Sequence, residues 1–407
     1  LQYDKKTNTE LVSKYLFDVN GIVSLGNSET SKIASKELEA GLSEMFGKTI
    51  PLQSKIEGDK NIITGAKEAL SPEIQKEIGS FAPINDEGFI IKSISLKGKN
   101  QIIITGKKDI GVLYGVYSFL RLVQTNKSIK NLNIVDAPKT NIRILNHWDN
   151  LDRTVERGYA GFSLWNWQKL PDFIDQRYID YARANASIGI NGTVLTNVNA
   201  NALILTPQYL EKVEALANVF RPYGIKVYLT ARFSAPIEIG GLKTADPKDA
   251  EVANWWKNKA KEIYKRIPDF GGFLVKANSE GQPGPQNYGR DHVDGANMLA
   301  DAVAPFGGVI MWRAFVYSEH DANDRAKQAY AEFVPYDGKF KDNVIVQVKN
   351  GAIDFQPREP FHPMFGAMPK TPLMMEFQIT QEYLGFSTHL VFLPKLFQEV
   401  LESDTYQ

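Results

Sequence analysis

From Asn141 onward the chain repeats one pattern, a short apolar run followed by an amphipathic stretch at helical spacing. The runs 141–148, 190–198, 225–231, 272–275, 308–315, 343–348 and 373–379 are too short for helices and read as buried strands. Between them, 179–186, 207–220, 249–266 and 292–303 place apolar residues three and four apart, as a helix with one buried face requires. Strands alternating with helices at this spacing must lie parallel, so the region forms a (β/α)8-type barrel or, failing that, an open parallel sheet. Either fold gathers functional groups at the carboxyl ends of its strands. No short-period repeat or low-complexity tract interrupts the pattern.

Those ends are polar. The stretch 271–289, GGFLVKANSEGQPGPQNYG, leaves its strand at Lys276 and reaches Asn278, Ser279 and Glu280. Gly281, Pro283, Gly284 and Pro285 then forbid any regular continuation. Trp148 and Asp149 follow the first strand, Asn197 and Asn199 the second, and Arg232 the third. Arg313 ends the fifth, Lys349 and Asp354 follow the sixth, and Glu382 closes the seventh. One lysine–glutamate pair at a loop mouth is ordinarily a surface salt bridge. Carboxylates at 280, 354 and 382 with cations at 276, 313 and 349 on one rim make a site.

Glycosidic hydrolysis needs a protonated carboxyl group for the leaving oxygen and an ionised one to activate water or attack carbon, and Glu280 with Asp354 or Glu382 meets that need. A magnesium lyase also draws carboxylates from barrel strands, but the neighbouring cations argue against a metal there. His147, His292, His320, His362 and His389 have no zinc-ligand spacing. Gly271-Gly272 and Gly307-Gly308 precede strands, whereas phosphate loops follow them. No metal or cofactor is expected. Lys276, Arg313 and Lys349 suit a sugar carboxylate, which arginine can hold through two parallel hydrogen bonds. The alternative, that each cation pairs with a neighbouring carboxylate, stays open.

Residues 1–138 differ in texture and read as an α+β accessory domain, with helices over 28–46 and 109–124 and strands over 61–65, 88–96 and 100–105. Asp136-Ala137-Pro138 marks the boundary, and 139–407 forms the barrel. Lysine plus arginine equals aspartate plus glutamate at 47 each, which gives no electrostatic case for nucleic acid or an anionic membrane. There are 0 cysteines, which excludes thiolate chemistry and disulfides without fixing the compartment. A chain that begins at Leu1 without methionine is expected to be processed or trimmed, with cytoplasm and periplasm both compatible.

The strings NHWDNLDRTVERGYAGFSLWNW (146–167), INGTVLTNVNA (190–200) and FLVKANSEGQPGPQNYGRDHVDGANMLADA (273–302) resemble the signatures of the family 67 α-glucuronidases. So do MWRAFVY (311–317), NVIVQVKNGAIDFQPREPFHP (343–363) and EFQITQEYLG (376–385). The first 138 residues are similar to the family's accessory domain more loosely. The resemblance implies an inverting hydrolase that releases glucuronic acid, or its 4-O-methyl ether, from the terminal xylose of xylooligosaccharides. It implies Glu280 as general acid, Asp354 and Glu382 as the carboxylates that activate water, and Lys276, Arg313 and Lys349 as the uronate-binding cations. It also implies Trp148 as an aromatic wall. Two positions depart from the pattern: Asn278 stands where aspartate is expected, and Arg153 where some members carry a smaller residue. Family members continue into an eighth strand and a helical domain that supports homodimers, so a barrel incomplete at its last strand is expected here. Two rivals remain: a non-catalytic fragment that binds acidic xylooligosaccharides, and another barrel glycosidase such as a β-hexosaminidase.

Overall fold

The computed structural model describes residues 2–6, 8–315, 325–353, 361–379 and 393–404. They divide into two compact units. The first comprises Leu1–Ile144, Asp175–Gly192 and Asn218–Ile225, and the second Leu145–Ile174, Thr193–Ala217 and Lys226–Gln407.

The first unit is built on strands β1 (Gly21–Ser24), β2 (Leu52–Gln53), β3 (Asn61–Ala66), β4 (Phe89–Leu96), β5 (Lys99–Gly106) and β6 (Asn133–Asp136). They form a six-stranded sheet in the order β2-β1-β3-β5-β4-β6. Pairing is parallel from β2 to β5, and β4 runs antiparallel to both β5 and β6. The helices of this region are α1 (Thr9–Asp18), α2 (Glu29–Phe46), α3 (Pro72–Ile78) and α4 (Asp109–Gln124). Helix α2 starts where Ser28 accepts a hydrogen bond from the Ser31 amide at 3.1 Å, and it stops at Gly47, whose φ is 63°. Helix α4 presses its backbone onto the sheet edge: a Cβ on Gly111 would lie 2.2 Å from the Gly88 carbonyl oxygen. Two of these four helices escape the sequence pattern. Helix α1 buries only Tyr15, and α3 has a single pair of buried isoleucines, so neither shows a sustained apolar stripe.

The second sheet has seven strands: β7 (Ile144–Asn146), β8 (Gly192–Val194), β9 (Lys226–Thr230), β10 (Gly272–Val275), β11 (Val309–Arg313), β12 (Val344–Lys349) and β13 (Leu373–Glu376). Their order across the sheet follows their order in the chain. Every crossover therefore steps the same way, which is the winding of a (β/α)8-type barrel and not of a doubly wound sheet. The connecting helices are α5 (Gln176–Ser187), α6 (Pro207–Phe220), α7 (Ala235–Glu238), α8 (Ala250–Arg266), α9 (His292–Val303) and α10 (Arg325–Phe333), and α11 (Leu393–Glu402) follows β13. Helix α5 groups with the first unit although it joins β7 to β8. The expected strands 141–148, 190–198 and 373–379 end earlier, at Asn146, Val194 and Glu376.

Register decides which side chains reach the site. Val275 pairs with Trp312, Arg313 with Gln347, and Lys349 with Glu376. Trp312 and Phe273 point toward the helices, since Trp312 Nε1 donates to His292 Nδ1 at 3.1 Å and Phe273 packs edge-on against Trp256. Alternation then turns Leu274, Met311 and Ile345 to the opposite face, with Arg313 and Gln347 one layer higher and Lys349 and Glu376 above them. The inner face is apolar in its middle and charged at its carboxyl end.

Candidate active site

Glu280 is presented by a turn that most sequences would not form. Asn278 and Glu280 have φ values of 50° and 48°, and Gly281 follows at 76°. Asparagine tolerates this left-handed region, but for glutamate it is strained. The turn is locked from behind. Asn278 Oδ1 accepts from the Gln286 amide at 3.0 Å, and its Nδ2 donates to Asn287 Oδ1 at 3.1 Å. Gly284 must be glycine there, because a Cβ would lie 2.1 Å from Asn278 Oδ1. This accounts for the run GQPGP in chemical terms.

Two cations grip the Glu280 carboxylate. Lys276 Nζ donates to Oε2 at 2.5 Å and to Asn199 Oδ1 at 2.9 Å, and Arg157 Nη2 donates to Oε1 at 3.1 Å. The Lys276 side chain is 2% exposed and that of Glu280 31%. Burial pushes the Glu280 carboxyl upward, but Lys276 and Arg157 outweigh it and hold the group below the usual carboxylate range. Burial is also the largest influence on Lys276 and lowers it, with Glu280 acting in opposition.

Beside this pair lies a second ionic group drawn from β11, β12 and β13. Arg313 Nε and Nη2 donate to Glu376 Oε2 and Oε1 at 2.8 and 2.5 Å, and Gln347 Nε2 donates to Oε2 at 2.6 Å. Arg313 is 2% exposed and Glu376 9%. Burial alone would raise Glu376, but Arg313, Lys349 and Gln347 bring it down to about 2. The Arg313 guanidinium carbon lies 5.6 Å from the Trp148 ring centroid and 5.1 Å from that of Phe315. The Lys349 ammonium sits 2.9 Å from the Phe315 centroid. Burial and then the Arg313 charge hold Lys349 well below the ordinary lysine value. Burial and Lys349 likewise bring His362 down to about 4, and its Nδ1 accepts from the Met364 amide at 3.1 Å.

Other rim residues support the site from below. Asp149 accepts from the Ser163 hydroxyl at 2.5 Å and the Leu164 amide at 3.0 Å, which ties down the loop carrying Arg157. Asn197 Nδ2 donates to Asn150 Oδ1 and to the Glu156 carbonyl, each at 3.1 Å. Arg232 Nη1 reaches Gln282 Oε1 at 3.2 Å. Asp149, Asn197, Asn199 and Arg232 border a polar cavity of about 430 Å³.

Of the residues singled out in the sequence, Lys276, Glu280, Arg313, Lys349 and Trp148 fall in one neighbourhood. Asp354 and Glu382 lie outside the described residues. The cations were expected to face a substrate, yet Lys276 and Arg313 each hold a protein carboxylate. The partner of Arg313 is Glu376, which the sequence reading passed over inside an apolar run, together with Gln347 and Arg157. A glutamate in LMMEFQI was the available signal, since a carboxylate in a buried strand requires a cation opposite it.

The model of the glycosyl hydrolase family 67 middle domain matches residues 122–407, and that of the family's N-terminus matches residues 1–119. The chain is 44% identical over 392 residues to a probable alpha-glucuronidase A of Neosartorya fischeri, a match covering 94% of this chain and 46% of that protein. It is 41% identical over 387 residues to alpha-glucuronidase A of Emericella nidulans, covering 91% and 45%. It thus spans about half the length of these relatives. Among solved structures, a GH138 enzyme targeting pectin rhamnogalacturonan II superposes with a TM-score of 0.51 at 17% identity, over 86% of this chain and 40% of that one. A mutant Streptomyces plicatus beta-hexosaminidase bound to GlcNAc gives 0.50 at 12%, over 88% and 70%. These two likenesses concern the fold alone. The family models cover both units, and the chain belongs to glycosyl hydrolase family 67.

Proposed function

We propose that this chain carries the sugar-cleaving centre of an inverting α-glucuronidase, with 139–407 as the catalytic part and 1–138 as an accessory domain. Its substrate is an acidic xylooligosaccharide, from which it releases glucuronic acid or its 4-O-methyl ether. The observation that carries this reading is the meeting of Lys276, Arg313 and Lys349, all buried, beside Glu280. A neutral sugar gives no reason to bury three cations together, whereas a sugar carboxylate does.

In this mechanism Lys276, Arg313 and Lys349 hold the uronate, and Trp148 forms a wall of the sugar pocket. Glu280 protonates the leaving xylose oxygen. It must gain a proton first, and the pull of Lys276 and Arg157 opposes that. A uronate carboxylate that draws the Lys276 ammonium toward itself weakens this pull and raises the proton affinity of Glu280. Asp354 and Glu382 activate the attacking water; inversion requires a base roughly 6.5–9.5 Å from the acid. Proton NMR of the first product tests the assignment. β-Glucuronic acid is expected initially, and initial release of the α anomer overturns inversion and makes one of the paired carboxylates a nucleophile.

One observation favours a second reading, a non-catalytic binder of acidic xylooligosaccharides. The two cations on Glu280 keep it ionised, which is the wrong state for a general acid. Turnover of an aldouronic acid by this chain decides between the two. Saturable binding without any release of glucuronic acid establishes the binder.

A further inference from the structure

The Glu376 carboxylate occupies the edge of Arg313 that a substrate would be expected to take. Nε and Nη2 form a parallel fork onto Glu376, and Nη1 stands outside that fork. Gln347 fixes the same carboxylate from the neighbouring strand. Strand register holds all three together, because Arg313 pairs with Gln347 across β11 and β12 while Glu376 is the last residue of β13. We infer that Glu376, steadied by Gln347, is a permanent positioning residue for Arg313, and that a sugar carboxylate meets this arginine end-on through Nη1, beside Lys276 and Lys349. The inference rests on the uronate reading of the site and deepens it.

The competing arrangement is a handover, in which the substrate displaces Glu376 and takes the fork for itself. That exchange would strand a carboxylate in the protein interior, where an ion deprived of its partner is costly. It would also break two charge-assisted bonds in order to form two. End-on binding leaves the protein pair intact and adds contacts to it. It gives the sugar carboxylate three separate cationic donors converging from different strands, a geometry that selects a carboxylate over a hydroxymethyl group without reorganisation.

The two arrangements predict opposite signs for one substitution. Glu376→Gln keeps the shape of the side chain but removes its charge. If Glu376 is a positioner, Arg313 loses its fixed orientation and glucuronate binds more weakly. If Glu376 is a competitor, glucuronate binds more tightly. Calorimetric titration of this chain with D-glucuronate, and with D-glucose as the neutral control, reads the sign without depending on turnover. The expected result is a dissociation constant for glucuronate raised on the order of tenfold, the scale of one hydrogen bond to a charged group, with glucose affected little. Gln347→Ala should weaken glucuronate binding in the same direction by a smaller factor, and it decides the matter if Glu376→Gln does not fold. Unchanged or tighter glucuronate binding in the folded variants overturns the positioning role while leaving the uronate pocket standing. A wild-type chain that binds glucose as well as glucuronate overturns the pocket and this inference with it.

Discussion

Each unit contains an arginine–glutamate fork of nearly the same geometry, buried in the second unit and part-buried in the first. In the first unit Arg183 Nε and Nη2 donate to Glu37 Oε2 and Oε1 at 2.7 and 2.6 Å. In the second, Arg313 meets Glu376 through the same atoms at 2.8 and 2.5 Å. What differs is the company. The Glu37 fork is closed by the Tyr3 hydroxyl, which donates to Oε1 at 2.7 Å, and the Tyr117 and Tyr223 phenols lie within its field. Those neighbours are neutral. The Glu376 fork stands beside Lys349, Lys276 and Glu280, so charge persists beyond the pair itself. A fork by itself is therefore no mark of a site; a fork set among further unlike and like charges at the carboxyl ends of strands is one.

The sharpest way to break the comparison is to remove a rim carboxylate that belongs to neither fork. Glu280→Gln should lower kcat on an aldouronic acid by on the order of 10²–10⁴, the usual contribution of a general acid, with both forks intact. Steady-state release of glucuronic acid measures the loss, and a kcat within threefold of wild type would exclude Glu280 as the acid.

The forks themselves should then respond differently to equivalent damage. Arg313→Ala is expected to cost about 2–5 kcal/mol in kcat/KM for a uronate substrate and much less for the glucose analogue. Equal losses on both sugars would count against a carboxylate-binding role. Glu37→Gln should leave the ratio of the two substrates unchanged. Its cost falls on stability instead, at about 2–3 kcal/mol, less than for a fully buried pair because the Arg183 side chain is 21% exposed. Urea unfolding gives that number directly.

How far this contrast could be read in advance depends on what each residue has beside it in sequence. Lys276 and Glu280 share one turn, and the glycines and prolines after them announce that the chain leaves the sheet, so the pair was legible. Helices α4, α6 and α9 were also legible, because their apolar positions recur over three or more turns. Glu376 was not. It touches Arg313 across 63 residues of chain, and only strand register brings them together. Arg157 meets Glu280 across 123 residues, from a loop with no periodicity to read. The Glu37–Arg183 fork, across 146 residues, was equally hidden. Long-range ion pairs depend on register and winding, and neither is carried by local pattern.

Acid and alkali should act through different groups in the two units. Glu376 has its folded value lowered to about 2 from 4.5, so its contribution is full above 4.5 and disappears as pH falls toward 2. His362, lowered to about 4 from 6.5, contributes above 6.5 and loses that contribution as pH falls through 4. Together they predict acid lability of the second unit, with about 3 kcal/mol from Glu376 alone. In the first unit Tyr3 and Tyr117 are raised above 10.0, largely by burial and then by Glu37. Their neutral forms stabilise fully below 10.0, and the contribution is lost as pH rises through the raised values. The tryptophans, Trp148, Trp165, Trp167, Trp255, Trp256 and Trp312, number 6 and all lie in the second unit. Tryptophan fluorescence should therefore report the acid limb, and a stability flat between pH 6 and 3 by that probe would refute the Glu376 contribution.

The smallest effect tests whether the two units unfold as one. Ser28 caps α2 in the first unit, and Asp249 caps α8 in the second by accepting from the Glu251 and Val252 amides at 2.7 and 3.2 Å. Replacing either by alanine should cost about 1 kcal/mol, since each change leaves a helix-end amide without its side-chain acceptor. Neither residue touches the rim, so kcat/KM should not move. The chain enters the first unit again at Asp175–Gly192 and Asn218–Ile225, between strands that belong to the second. The chain thus passes between the two units several times, and neither is one contiguous segment. One cooperative transition is the expected outcome, with Ser28→Ala and Asp249→Ala lowering the same urea midpoint by tryptophan fluorescence. If Ser28→Ala leaves that midpoint in place while tyrosine-weighted circular dichroism shifts, the units unfold independently, and the stability of one fork says nothing about the other.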